Sequence, residues 1–175
     1  MFRLLFDTEI YTEVVQKRIP EARRFLWIGT ADIKDMYIHK SGQMVPFLEL
    51  LSDLIRKKVQ IRLIHAKEPG PAFRRDFDKY PILLSGLERV LCPRVHFKTV
   101  IIDGRIAYSG SANLTGSGMG AKNDNNRNFE NGFLTDDSVL VENLMNQFDR
   151  VWTGIYCKNC GRKQFCLDCP VNGVK

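Results

Sequence analysis

Apolar and polar positions switch between two periods along this chain. From Glu9 to Ile19 the apolar residues Ile10, Val14 and Val15 recur at helical spacing, and Pro20 ends the run. Arg24 to Thr30 carries consecutive Phe25, Leu26, Trp27 and Ile28, the pattern of a strand buried on both faces. Phe47 to Lys57 places Phe47, Leu48, Leu50, Leu51, Leu54 and Ile55 on a helix. Val59 to Ile64 alternates Val59, Ile61 and Leu63 with Gln60 and Arg62, as a strand does. Pro69-Gly70-Pro71 then breaks the chain. Phe73 to Tyr80 predicts a short helix and Arg89 to Leu91 a short strand. Phe97 to Ile102 and Arg105 to Tyr108 predict a hairpin, and Glu130 to Leu134 a further strand. Ser138 to Trp152 is the last predicted helix, with Leu140, Val141, Leu144, Phe148, Val151 and Trp152 on one side. This order predicts an α/β fold with helices on both faces of a sheet. Gly116 to Asn128, rich in Gly, Ser and Asn, predicts a mobile loop: a solvated connector or a segment that closes over substrate. No internal repeat is found.

Length and composition narrow the class. The chain has 175 residues, 44% hydrophobic and 26% charged, which fits one domain with a buried core and excludes collagen, coiled coil and wholesale disorder. No apolar run approaches the ~20 residues that span a bilayer. Asp7 and Glu9 interrupt the first apolar stretch at once, so neither a membrane anchor nor an export signal is expected, and the expected location is cytoplasmic. A net charge of +6 fits a polyanionic partner, nucleic acid or an anionic membrane surface. The basic residues Arg56, Lys57, Lys58 and Arg62 could steer a phosphate backbone; a solvated helix end is the plainer reading.

Candidate chemistry concentrates in His96-Phe97-Lys98-Thr99-Val100-Ile101-Ile102-Asp103-Gly104-Arg105-Ile106-Ala107-Tyr108-Ser109-Gly110-Ser111-Ala112-Asn113. Asp103-Gly104 between two β-rich runs predicts a two-residue turn. That register sets Ile102 opposite Arg105, Lys98 opposite Ser109 and His96 opposite Ser111. Cross-strand partners share a face, so His96, Lys98, Ser109, Ser111 and Asn113 would form one patch. Such a patch suits a phosphodiester. The ammonium neutralises non-bridging oxygens, the amide and hydroxyls donate to them, and an imidazole serves as nucleophile or acid. Asp103 sits in the turn and has a structural role.

The spacing H-x-K-x4-D-x6-G-S-x-N, complete at His96, Lys98, Asp103, Gly110, Ser111 and Asn113, resembles the signature of the phospholipase D superfamily. The resemblance in element order runs from about Ile10 to Trp152 and implies a mixed β-sheet flanked by helices, α/β/α. It also implies phosphodiester cleavage without a catalytic metal, through a phosphohistidine on one His while a second acts as general acid and then base. Members with two motifs supply both from one chain. Here His65-Ala66-Lys67 starts a second motif, but Ala72 stands where an Asp is required. One motif is half a site, so a two-fold homodimer is expected, as in the short bacterial endonucleases of the superfamily. Lys98 and Asn113 of both copies would hold the phosphate, and Ser111 would support the pocket. Glu130 matches the downstream acid that orients the catalytic His in those nucleases. The expected substrate is DNA or RNA. The alternatives are a lipid phosphodiester, hydrolysed or transferred, and a nuclease unit of a larger DNA-processing machine.

Four of the five cysteines, Cys157, Cys160, Cys166 and Cys169, form two C-x-x-C pairs five residues apart. Four thiolates at this spacing suit structural Zn²⁺ in a compact knuckle, with an iron–sulfur cluster, disulfides or free thiols as alternatives. The expected organisation is therefore a catalytic domain over 1–154 and a basic metal-binding tail over 155–175. Cys92 is read as a small buried hydrophobe.

Overall fold

The computed structural model describes residues 1–168. A strand, β1 (Phe2–Phe6), opens the chain. Helix α1 begins as Thr8–Ile10, continues with π-type hydrogen bonding over Tyr11–Arg18 and closes in a 3-10 turn, Ile19–Glu21. Then follow β2 (Phe25–Thr30), a small hairpin of β3 (Tyr37–Lys40) and β4 (Gln43–Pro46), α2 (Phe47–Arg56) and β5 (Gln60–His65). Two short helices, α3 (Pro71–Asp78) and α4 (Ile82–Gly86), lead to β6 (Leu87–Leu91). The chain ends through β7 (Lys98–Ile102), β8 (Ile106–Gly110), β9 (Asn131–Thr135) and α5 (Ser138–Trp152).

Seven strands form one mixed sheet in the order β1-β9-β8-β7-β2-β5-β6, parallel between β2, β5 and β6 and antiparallel elsewhere. Alternation along each strand sorts its side chains into two cores. Leu26, Ile28, Ile61, Leu63, Val100, Ile102 and Tyr108 join α1 and α2 on one face. Phe25, Trp27, Ile64, Ile101 and Ala107 meet Val141 and Phe148 of α5 on the other. The Asp137 carboxylate caps α5 by accepting from the N–H groups of Val139 and Leu140. Arg62 lies over the rings of Trp27 and Trp152 and pairs with Glu88, and Arg56 pairs with Asp53. Those two cations are engaged within the fold.

The hairpin of β7 and β8 departs from the predicted register. Its turn takes three residues, Asp103-Gly104-Arg105, with Asp103 and Gly104 both at positive φ. Ile102 therefore faces Ile106, Lys98 faces Gly110, and Ser109 faces Thr99. Ser109 moves to the face away from Lys98 and leaves the expected patch. The Asp103 carboxylate accepts from the backbone N–H groups of Arg23 (2.9 Å), Arg24 (2.7 Å) and Phe25 (2.9 Å), which ties the turn to the start of β2. Asp103→Ala strips these donors of a charged acceptor and leaves a Cβ-bearing residue with no local hydrogen bond at φ 55°. We expect a loss of about 2 kcal/mol in urea unfolding, with Asp103→Asn retaining part of it.

The Gly116 to Asn128 segment is less solvated than its composition predicts. It folds as successive turns, seats Met119 in the core, and fixes Asn128 by its N–H to the Ser117 carbonyl at 3.0 Å. After α5 the chain folds back on the edge strand β6. The Leu91 N–H donates to Asp168 Oδ2 at 2.6 Å, and the Cys166 thiol donates to the Leu91 carbonyl at 3.4 Å. The zinc expected here finds no support among the described residues. Among the described residues no three His, Cys, Asp or Glu side chains come together as a metal cluster. The Cys160 sulfur accepts from the Arg162 N–H at 3.4 Å. Cys169, the fourth expected ligand, lies outside the described residues. No helix among the described residues is long and apolar enough to cross a membrane.

Candidate active site

The motif residues gather at one end of the sheet, where β2 stops, β7 and β9 begin and β8 stops. His96 precedes β7 and is exposed, whereas Lys98 is only 6% exposed. The Lys98 ammonium lies 3.1 Å from His96 Nδ1 and 3.5 Å from Nε2, and donates to the His96 carbonyl at 2.5 Å. Burial pushes the Lys98 pKa below the ordinary lysine range, and the Glu130 carboxylate opposes that shift. The exposed His96 ring beside this ammonium offers a ring nitrogen as a nucleophile.

Gly110 occupies the close approach of β8 to its neighbours. It pairs with Lys98 on one side and Gly132 on the other. A Cβ there would stand 2.4 Å from the Asn131 carbonyl oxygen and 2.7 Å from Gly132 Cα. One residue on, the Ser111 N–H donates to the Asn131 carbonyl at 2.9 Å, and its hydroxyl donates to Glu130 Oε2 in a short contact. Asn128 Nδ2 donates to Glu130 Oε1 at 3.0 Å, and the Glu130 N–H donates to Asp7 Oδ1 at 2.8 Å. Glu130 thus sits in a hydrogen-bonded frame with Ser111 and Asn128, and makes no hydrogen bond to His96 of its own chain.

Asn113 is placed by the end of β2. Its Oδ1 accepts from the Asp32 N–H at 3.0 Å, with the Thr30 hydroxyl 3.4 Å away; that hydroxyl donates to the Asp32 carbonyl at 2.7 Å and accepts from the Leu114 N–H at 2.9 Å. With the carbonyl end occupied, the NH₂ end is the part left to donate to a ligand. Thr30 lies one step beyond the Gly29–Thr99 pair, opposite Lys98 and on its face. Asn113, Asn128, Asp32, Lys34 and Lys122 line a polar cavity of about 290 Å³ at this end.

Lys98, Gly110, Ser111, Asn113 and Glu130 are therefore joined through adjacent strand ends, with exposed His96 at the rim. Asp103 lies at the opposite end of β7. His65 also stays apart: it is fully buried, and its Nδ1 bonds the Lys67 carbonyl at 2.7 Å. Four contributors escaped the sequence: Thr30, Asp32, Asp7 and Asn128. A buried Thr ending an apolar strand, and an Asp after the β1 run, were the available signals.

Comparison with known proteins gives the family. The family described as "Cardiolipin synthase, PLD-like domain" matches residues 15–152. The chain belongs to this phospholipase D-like family, which hydrolyses or transfers phosphodiesters. It is 28% identical over 105 residues to the mitochondrial cardiolipin hydrolase of Chlamydomonas reinhardtii, across 59% of this chain and 44% of that protein. The match thus spans less than half of that relative. Two solved structures share the fold at 15% identity and TM-score 0.61. NucT from Helicobacter pylori covers 87% of this chain and 97% of its own. Nuc from Salmonella typhimurium, described as a phospholipase D family member, covers 87% and 94%.

Proposed function

We propose that the chain is a metal-independent nuclease that cleaves DNA or RNA through a phosphohistidine on His96, in a site shared by two copies. The observation that carries the reading is the single His96–Lys98 pair beside Asn113 and the Ser111–Glu130 frame. A ring nitrogen of His96 attacks phosphorus, the P–N bond forms and the P–O bond to the leaving strand breaks. The leaving oxygen takes its proton from the imidazolium of the second copy's His96. That imidazole then removes a proton from water, which attacks phosphorus and breaks the P–N bond. Lys98 and Asn113 hold the non-bridging oxygens, and their charge and hydrogen bonds fill the part a metal plays elsewhere. Two chains are required because one supplies a single motif. Exposed Phe6 and Phe129, on either side of Glu130 in the paired strand ends, give a second copy apolar surface to cover.

The net charge of +6 and the size match to Nuc and NucT favour a polynucleotide. The cardiolipin hydrolase likeness favours a lipid phosphodiester as the second reading. One assay separates them: labelled single- and double-stranded DNA and RNA, and cardiolipin vesicles, incubated with the protein in EDTA. Cleavage of a polynucleotide in EDTA is the expected result. Release of a lipid headgroup with every polynucleotide intact would overturn it.

A further inference from the structure

A groove of about 590 Å³ lies between α5 and the chain that follows it, and the residues on either side of His96, Val95 and Phe97, form part of its wall. This is within the size range of ligand sites. Its chemistry is one-sided. Arg94 and Arg150 line it, together with the carboxamides of Asn143, Asn146 and Gln147, and among the described residues no Asp or Glu does. Neither arginine has a carboxylate of the described residues within ion-pair reach, in contrast to Arg56 and Arg62. Asn143, Asn146, Gln147 and Arg150 recur at helical spacing, so they form one polar stripe along α5. Tyr156, 51% exposed, stands at the same groove.

We infer that this groove binds the stretch of single-stranded nucleic acid next to the phosphodiester held at His96. The inference rests on the nuclease reading and names its substrate form. Arginine pairs with phosphate, carboxamides offer a donor and an acceptor to base edges, and an exposed aromatic ring accepts a stacked base. A duplex turns the Watson–Crick edges and the base faces inward, whereas a single strand presents them. The path is short. Arg94 is two residues from His96, within about 7 Å along the backbone, so a strand leaving the reacting phosphate past Arg94 enters the groove.

The test uses the full chain carrying His96→Ala, so that substrate is bound and not cut. A short fluorescein-labelled single strand, its duplex, and vesicles of phosphatidylcholine with cardiolipin serve as probes. Arg94→Gln with Arg150→Gln is expected to weaken single-strand binding about tenfold and to reduce the log–log salt slope by about 1.4, two phosphate contacts' worth. Arg56→Gln removes one charge elsewhere and should leave binding unchanged. Asn146→Ala, on the exposed helix face, gives a second variant should the double one unfold, and weakens binding without moving the slope. Unaltered affinity in the folded groove variants overturns the groove while the nuclease reading stands. Tighter binding of duplex, or an arginine-dependent preference for the vesicles, also overturns it. A parent protein that binds no strand, with wild type that cuts none, removes the nuclease reading itself.

Discussion

His96→Ala abolishes turnover, by at least about 10⁴-fold, and leaves the fold intact. The size follows from the role: without its nucleophile a covalent route closes, and only binding and charge stabilisation remain. The preserved fold follows from the surroundings. His96 is exposed, and among the described residues its ring hydrogen-bonds with the Lys98 ammonium. Circular dichroism and thermal unfolding should therefore match wild type. A mixing experiment reports on the shared site. If each site needs the imidazoles of two copies, equal amounts of wild type and variant, allowed to exchange, leave about one quarter of the activity, because only pure wild-type dimers work. Independent sites leave about one half. A folded His96→Ala protein with near-normal activity would falsify the phosphohistidine mechanism.

The largest effect on stability is expected from Gly110→Ala. The added carbon meets the Asn131 carbonyl at 2.4 Å, the Tyr108 hydroxyl at 2.5 Å and Gly132 Cα at 2.7 Å. Two of these three are backbone atoms of β9 and cannot rotate away. Tyr108 is fully buried, so its ring has no room to retreat. The strands must separate, at about 3 kcal/mol or more. In a chain of this size that lowers Tm by about 6–12 °C. Activity should fall as well, since Gly110 is the cross-strand partner of Lys98 and immediately precedes Ser111. Differential scanning calorimetry is the check, and a Tm within a few degrees of wild type would mean that β8 and β9 approach less closely than described.

Much of the fold was legible because its elements are long or strongly patterned. Phe25–Thr30, Phe47–Arg56, Gln60–His65 and Ser138–Trp152 lie within a residue or so of where periodicity sets them. The elements that escaped were short or lacked alternation. β1 is apolar at Phe2, Leu4, Leu5 and Phe6, yet only Leu5 is buried, so its sequence carries no clear inward face. The β3–β4 hairpin has four residues per strand, and its turn signal, Ser41-Gly42 at positive φ, stood without flanking runs long enough to notice.

The motif positions themselves were readable, because the spacing from His96 to Asn113 is local and needs no third dimension. So was the turn at Asp103, where an Asp-Gly pair offers the positive φ that most residues avoid. The register was not. One additional turn residue, Arg105, moves every cross-strand pair and carries Ser109 to the other face; both turn lengths suit the same sequence. Nor could the sequence show that Thr30 and Asp32 fix the Asn113 amide, or that Asp7 and Asn128 hold Glu130, since those partners lie up to 123 residues apart. The sequence by itself determined the motif positions and the α/β order, because side-chain identity and local periodicity are written along the chain. Only the tertiary structure decided which faces those groups share and what holds them, because register and long-range hydrogen bonds are settled when separate strands pack.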